Sequence, residues 1–498
     1  MITKIFGPPG SGKTTHLLDI VQQELSAGTS PLNIGYFAFT RKAATEARDR
    51  AVQKFPHLEA KTDFPWFRTL HSLAYQCLGA SNKDMMTAAD YAMFAKEAGL
   101  SVSTSSDGEE FIVQADNAIL NEINLARIRG QDLQSHYRQS RMEIEWFHFE
   151  LVERAYRHFK AANLLMDFTD LVERIIEQQD HLPELDVLIV DEAQDMSRLQ
   201  WQLVEALESK AQRTYIAGDD DQALFCWAGA DAATFLSHYG NVKILEKSYR
   251  VPAKVHALAN SIVQRIKNRQ PKNWAPRAEE GEIKYYNHFE QVDITQGEWL
   301  LMASTNYMLN EMHEWLRSQG LLFERHGQRS IADSIVTAVV GWERLRRGDE
   351  INYAVLQKVY KNLPASSVKR GFKSLRTADP EKMFSMPYLQ KHHGLLTDVI
   401  WHEALTKIGE DKRDYLISVL KRGTKLSSRP PIQLSTIHGA KGGEADNVLL
   451  LTDLSPKFAQ DYAKNADDIN RLLYVGVTRT RQSLHIVLPK NEQKGFRL

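Results

Sequence analysis

Ile2-Thr-Lys-Ile-Phe6-Gly7-Pro8-Pro9-Gly10-Ser11-Gly12-Lys13-Thr14-Thr15 is the stretch that decides the fold. A short apolar run, Ile2–Phe6, enters a glycine-rich turn, and a helical pattern follows from His16. Gly7 to Thr14 match G-x-x-x-x-G-K-[ST] without a mismatch, and strand before, helix after is the context that gives the motif meaning. The glycines let the backbone curl so that its N–H groups converge on phosphate oxygens. Lys13 then reaches the β- and γ-phosphates, and the Thr14 hydroxyl is placed for magnesium. The bland alternative, a glycine turn with no ligand, does not require this full set.

The same signature of apolar run, loop and helical pattern recurs along the chain. It is found at Ile34–Phe39, Val187–Val190, Thr214–Ala217, Val242–Leu245, Trp299–Ala303, Ile432–Thr436, Val448–Thr452 and Leu484–Leu488. These runs fall in two groups. Residues 79–162 are helix-like with a Ser-rich break at Ser101–Gly108, and residues 331–430 are mainly helical, closed by Arg429-Pro430-Pro431. The expectation is an α/β protein with two parallel-sheet cores, each interrupted by a helical insertion. The first core spans 1–78 and 163–238 around insertion 79–162; the second spans 239–330 and 431–498 around insertion 331–430.

A P-loop alone does not separate a motor from a small-molecule kinase. Val187-Leu-Ile-Val190 ends in Asp191-Glu192-Ala-Gln-Asp195. A carboxylate at a strand end can hold magnesium, and a second beside it can polarise the attacking water. Asp191 is read as the metal residue and Glu192 as the base. Adjacent acids after a strand also serve as helix N-caps, so the P-loop is what tips the reading.

The chain's 498 residues allow about three or four domains. With 43% hydrophobic and 25% charged residues the composition is that of a soluble globular protein. No signal-like apolar region opens the sequence, and two cysteines, Cys77 and Cys226, build neither a disulfide framework nor a cysteine zinc cluster. A cytoplasmic setting without a membrane is the expectation. The formal net charge of −1 says nothing about nucleic acid. Residues 331–430, however, carry 18 Lys and Arg against 11 Asp and Glu. Such a segment suits a phosphate backbone or a plain solvated surface, and both readings stand. The pair His392-His393 reads as a surface pair, and no metal-ligand cluster or nuclease constellation is visible.

Nine motifs in order, from Gly7 to Arg481, resemble superfamily 1 helicases of the UvrD/Rep/PcrA type. They are GPPGSGKTT, FAFTRKAATEARDR (37–50), FRTLHSLA (67–74), MDFTDLV (166–172), VLIVDEAQD (187–195), IAGDDDQALFCWAGAD (216–231), LEKSYRVP (245–252), IQLSTIHGAKGGE (432–444) and LLYVGVTRTR (472–481). The resemblance implies two RecA-like cores with 1B-like and 2B-like accessory insertions. It implies an ATP- and Mg2+-dependent helicase moving on single-stranded DNA, 3′ to 5′, engaging single-strand/duplex junctions and acting in repair or replication as a monomer or weak dimer.

Residue roles follow by resemblance. Gly7 to Thr15 hold ATP with Thr14 and Asp191 on the metal, Gln222 senses the γ-phosphate, and Arg250 and Arg479 reach it from the second core. Tyr249 stacks on the nucleotide base and Glu444 contacts the ribose. Strand-binding residues are Phe225 and Trp227 first, then Phe39, Thr40, His71 and His438. Aromatic rings suit an unselective track because every base offers a π-face.

Three positions depart from the family pattern. No glutamine occurs in the six residues before Gly7, which predicts looser base discrimination that admits GTP or CTP. Ala228 stands where the family has arginine after the tryptophan, and Gly443 where it favours leucine. The missing arginine leaves a second class of function open, a DNA-gated ATPase switch that remodels or recruits proteins. RNA as the track is not excluded by any motif. A small-molecule kinase fits the P-loop but not the DEAQD, GDDDQ and VGVTR motifs.

Overall fold

The computed structural model describes residues 1–60, 62–106, 113–140, 142–376 and 378–496. Its strands are Ile2–Phe6 (β1), Ile34–Phe37 (β2), Phe67–Arg68 (β3), Ser103–Ser106 (β4), Val113–Asp116 (β5), Leu185–Val190 (β6), Ala211–Gly218 (β7) and Asn241–Ile244 (β8). They continue as Glu282–Tyr286 (β9), Trp299–Ala303 (β10), Phe323–Arg325 (β11), Gln328–Arg329 (β12), Ile432–Thr436 (β13), Ala445–Leu451 (β14) and Thr480–Val487 (β15).

The first sheet has the order β3-β2-β6-β7-β1-β8, and every pairing in it is parallel. Side chains alternate between two helical layers. Ile5, Ile34, Tyr36, Val187 and Ile189 face one layer; Phe6, Phe37, Leu188, Val190 and Ile216 face the other. A parallel sheet covered on both faces needs apolar residues at every position, which is why these strands read as unbroken apolar runs. The second sheet, β12-β11-β13-β10-β14-β15-β9, is parallel except for the β11–β12 pair. The α/β class with two parallel-dominated sheets is the architecture expected from the sequence.

Contacts divide the chain into two units, Met1–Ala278 with Asn465–Thr478, and Glu279–Lys464 with Arg479–Leu498. These bounds differ from those expected from the sequence, in which 239–330 and 431–498 form the second core around insertion 331–430. Val242–Leu245 was assigned there, yet β8 is hydrogen-bonded to β1 at the edge of the first sheet. Helix Ala466–Val477 joins the same unit through polar bonds. Asp467 accepts from the Lys267 and Asn268 amides, and Arg471 donates to the carbonyls of Asp220 (3.0 Å) and Asn268 (2.7 Å).

Within the first unit, helices Ala88–Ala98, Ala118–Ile128, Leu133–Gln139 and Trp146–Ala162 share a core of their own around Phe94, Ile123, Phe149 and Phe159. Thr87 and Asp90 form a capping box at the start of the first of these helices. The Ser-rich break is not a loop throughout: β4 pairs antiparallel with β5. Gly108 lies outside the described residues. A buried ionic cluster ties this helical part to helix Phe168–Glu177. Arg127 contacts Asp167 (2.8 Å), Asp170 (2.6 Å) and Glu173 (2.5 Å), while Lys160 contacts Asp167 and Asp170 at 2.6 Å each. Burial alone would raise the Asp167 carboxyl, but Arg127 and Lys160 outweigh it and hold it below the ordinary carboxylate range.

In the second unit the helices Asp333–Arg346, Tyr353–Asn362, Met386–His392, Trp401–Ala404 and Glu410–Lys421 share their core with the sheet. Trp342, Leu356 and Leu416 belong to one continuous apolar cluster with Leu301, Leu434 and Leu449 of the sheet. The surface reading of His392-His393 holds for His392 only. His393 is buried against the Phe384 ring, and its carbonyl accepts from the Tyr360 hydroxyl. Among the described residues no helix is long and apolar enough to cross a membrane.

Candidate nucleotide and nucleic-acid site

The chain leaves β1 at Phe6 and curls into the P-loop. Gly10 (φ 71°) and Gly12 (φ 76°) take left-handed conformations that glycine adopts without strain. Gly7 is needed for another reason: Lys13 folds back over the loop, and a Cβ at residue 7 would sit 1.9 Å from Lys13 Cγ. The Gly7 amide donates to the Gly218 carbonyl at 3.0 Å, pinning the loop to the end of β7. Helix Lys13–Ser26 then presents its unsatisfied N–H groups at the loop, an arrangement suited to an anion.

Asp191 follows β6 and is buried. Its Oδ1 accepts from the Glu192 amide at 2.9 Å and its Oδ2 from the Tyr36 hydroxyl at 2.7 Å. Glu192 has φ 55° and ψ 38°. A side-chain-bearing residue pays about 1–3 kcal/mol for such a backbone, which persists where the surroundings impose it. The result is that Glu192 Oε1 stands 3.1 Å from Lys13 Nζ. Burial pulls the Lys13 ammonium down, but Glu192, Asp191 and Asp219 together leave it above the ordinary lysine value. Burial, then the Glu192 charge, raises the Asp191 carboxyl against Lys13 and Tyr36.

A line of hydrogen bonds runs on from Glu192. Gln194 Nε2 donates to Glu192 Oε2 at 2.6 Å, and Gln194 Oε1 accepts from the Asp219 amide at 2.9 Å. Asp219 Oδ2 in turn accepts from Gln222 Nε2 at 2.7 Å. Gly218 makes room for this, since a Cβ there would approach Gln194 Oε1 to 2.5 Å. The Asp219-Asp220-Asp221 carboxylates lie close enough together to hold a cation, a cluster the sequence reading did not see. They already have one: Lys272 Nζ lies 3.0, 2.5 and 2.8 Å from the three in order. Arg269 adds a two-pronged contact to Asp221 at 2.7 and 2.6 Å.

Tyr249 and Arg250 belong to the first unit and sit directly on the P-loop. The Tyr249 amide donates to the Gly10 carbonyl at 2.8 Å, and the Ser248 hydroxyl to the Pro9 carbonyl at 2.7 Å. A Cβ on Gly10 would lie 2.3 Å from Arg250 Cβ, so the approach depends on glycine. Tyr249 is 68% exposed, and the Lys247 ammonium lies over its ring, 5.4 Å from the centroid.

Of the predicted strand-binding residues, Phe39 lies just beyond β2 and stacks on Phe225, with centroids 5.7 Å apart and planes at 22°. Trp227 is 67% exposed on the same loop as Phe225, and Ala228 beside it is exposed. Thr40 caps helix Arg41–Lys54 by accepting from the Ala43 amide at 3.2 Å. His71 meets Phe168 edge-on at 6.1 Å. Both line a cavity of about 290 Å³ with Arg41, Tyr75, Met85 and Met86.

Burial lowers the His71 pKa from 6.5 to about 4. The folded state therefore binds fewer protons than the unfolded chain below pH 6.5, and the stabilisation present above that value is lost as pH falls towards 4. At about 1.4 kcal/mol per pH unit the loss is at most about 3.5 kcal/mol, reduced because the side chain is only partly buried. The expected result is that His71→Gln flattens the fall of the melting temperature between pH 6.5 and 4. Parallel curves for the two proteins would exclude this role for His71.

Three predicted residues lie in the second unit. His438 meets Phe458 with centroids 6.3 Å apart, Glu444 lies 3.7 Å from Arg481, and the buried Arg479 donates to the Gly443 carbonyl at 3.3 Å.

Two family sequence models match the chain, the UvrD/REP helicase N-terminal domain over residues 2–243 and the UvrD-like helicase C-terminal domain over residues 403–491. The chain belongs to the UvrD/Rep helicase family. Similar curated proteins are named ATP-dependent DNA helicase PcrA. The one from Bacillus subtilis is 29% identical over 327 residues, 59% of this chain and 42% of that protein. Those from Staphylococcus epidermidis and Staphylococcus aureus are 28% and 26% identical over 319 residues, 58% of this chain and again 42% of theirs. The match thus spans well under half the length of these relatives.

In this UvrD/Rep member several polar residues of the site besides the acidic turn escaped the sequence reading, among them Gln194, Ser248, Tyr36 and Lys272. Gln194 and Ser248 stand inside quoted motifs, DEAQD and KSYR, and their motif membership was a signal. Tyr36 and Lys272 gave none: one sits in an apolar strand and the other in a Pro- and Asn-containing loop, and only the fold brings them to Asp191 and the acidic turn.

Proposed function

We propose that this UvrD/Rep family chain is an ATP-dependent motor on single-stranded DNA, a helicase moving 3′ to 5′ by the family resemblance. The observation that carries the reading is the continuous path Lys13–Glu192–Gln194–Asp219–Gln222. Three residues beyond Gln222 stand Phe225 and then Trp227, the rings read as strand platforms. Phosphate chemistry and strand contact therefore share one short segment.

In this mechanism Lys13 exchanges Glu192 for the β- and γ-phosphate oxygens when ATP binds. Released from the ammonium, Glu192 accepts a proton from the attacking water, held in position by Gln194. Gln222 registers the γ-phosphate and Arg250 stabilises its charge as the phosphoryl group leaves. Thr14 hydroxyl and Asp191 carboxylate oxygens are hard donors that would hold magnesium, which when bound would neutralise phosphate charge. A nucleobase stacks on Trp227, worth ~1–3 kcal/mol. His438, Glu444 and Arg479 carry the roles that the resemblance gives them. Exposed Ala228, in place of an arginine, favours the second reading of a DNA-gated switch that remodels proteins without processive unwinding.

Trp227→Ala tests the coupling. Hydrolysis stimulated by single-stranded DNA is expected to fall about tenfold, on a loss of ~1–3 kcal/mol of stacking per base, while basal hydrolysis stays. An equal fall in both rates would make Trp227 a structural residue.

A further inference from the structure

One buried hydroxyl group beside the nucleotide site has no part in the proposed motor. Tyr36 lies on β2, in register with Ile189 of β6, and is fully buried. Its ring stacks on Phe67 with centroids 5.3 Å apart and belongs to the apolar cluster on that face of the sheet. A phenylalanine would serve all of that. The oxygen is the part that packing does not explain, since burying a hydroxyl is unfavourable unless it is bonded. It is bonded, to Asp191 Oδ2 at 2.7 Å.

With the Glu192 amide on Oδ1, each Asp191 oxygen receives one donor and keeps lone-pair capacity for one further partner. One donor is the backbone amide of Glu192 and the other the hydroxyl of a ring stacked on Phe67, so the plane of the carboxylate is fixed. A phenol is protonated at neutral pH, so the Tyr36 hydroxyl is the donor in this bond.

We propose that Tyr36 is a positioning residue that locks the Asp191 carboxylate in the orientation needed to hold a divalent cation, directly or through water. The inference rests on the reading of Asp191 as the metal-holding carboxylate. Partners that orient a metal ligand typically contribute 10–100-fold to metal affinity.

The test uses the full chain with Tyr36→Phe, which keeps the ring and its stacking. Mn2+ binding in the presence of ADP, read from the free Mn2+ signal by electron paramagnetic resonance, is expected to weaken at least tenfold. ADP binding without metal is expected to stay unchanged, and excess Mg2+ should restore turnover in Tyr36→Phe but not in Asp191→Asn. Wild-type Mn2+ affinity in Tyr36→Phe, alongside lost affinity in Asp191→Asn, would overturn the role of Tyr36 alone. Wild-type affinity in both variants would overturn the metal reading of Asp191 and this inference with it. A circular dichroism spectrum matching wild type guards against misfolding, and Tyr36→Leu, which also lacks the hydroxyl, is expected to show the same loss of affinity.

Discussion

Glu192→Gln is expected to bind ATP and fail to turn it over, with a rate lowered by about 10²–10⁴-fold, the usual contribution of a positioned general base. The geometry explains why this isosteric change is severe. Glu192 Oε1 faces the Lys13 ammonium and Oε2 faces the Gln194 amide, so both neighbours are donors. A glutamine meets two donors with one oxygen and one NH2 group; one contact becomes donor against donor, and the base is gone. Lys13→Ala is expected to lose turnover as well, and to weaken ATP binding because the phosphates lose their cation. Filter binding and steady-state phosphate release separate the two outcomes. Robust turnover in either variant would remove Glu192 and Lys13 from the site.

The second large effect is expected at Lys272. Its side chain is fully buried and bonded to three carboxylates that are themselves buried. Burial lowers the lysine pKa, but Asp219, Asp221 and Asp220 more than reverse that, and Lys272 stays protonated. Lys272→Met keeps the chain length and removes the charge. Removing one partner of a buried ionic group typically costs about 3–5 kcal/mol, because the remaining charges are left uncompensated. Arg269 and the Arg471 contact to the Asp220 backbone soften the loss without replacing the ammonium. Urea denaturation should show a clearly lower midpoint, and an unchanged midpoint would mean that Lys272 does not hold the acidic turn.

Much of this architecture could be read from the chain because parallel strands buried on both faces leave unbroken apolar runs. Each of the nine runs named from the sequence falls on a strand. The strands that escaped are those with another chemistry. Phe67–Arg68 is only two residues long, and Glu282–Tyr286 is polar and largely exposed at the sheet edge. Phe323–Arg325 and Gln328–Arg329 form a short ribbon with no apolar repeat.

The unit boundaries were hidden for a different reason. Asn465–Thr478 joins the first unit through Asp467 and Arg471, whose partners at 220 and 267–268 are about 200–250 positions away in sequence. Local pattern carries no information about such pairings. The candidate site divides along the same line. Gly7–Thr14, Asp191 and Glu192 were legible because phosphate chemistry demands fixed spacing, whereas Tyr36 and Lys272 act on residues that only the folded sheet brings near.

In the proposed motor, ATP hydrolysis is coupled to a single strand through the segment from Gln222 to Trp227. The most direct test is steady-state ATP turnover with and without single-stranded DNA, with Glu192→Gln as the blank and single-stranded RNA as the comparison track. A large stimulation by DNA, absent from the blank, is the predicted result. Turnover that responds to neither DNA nor RNA would contradict it.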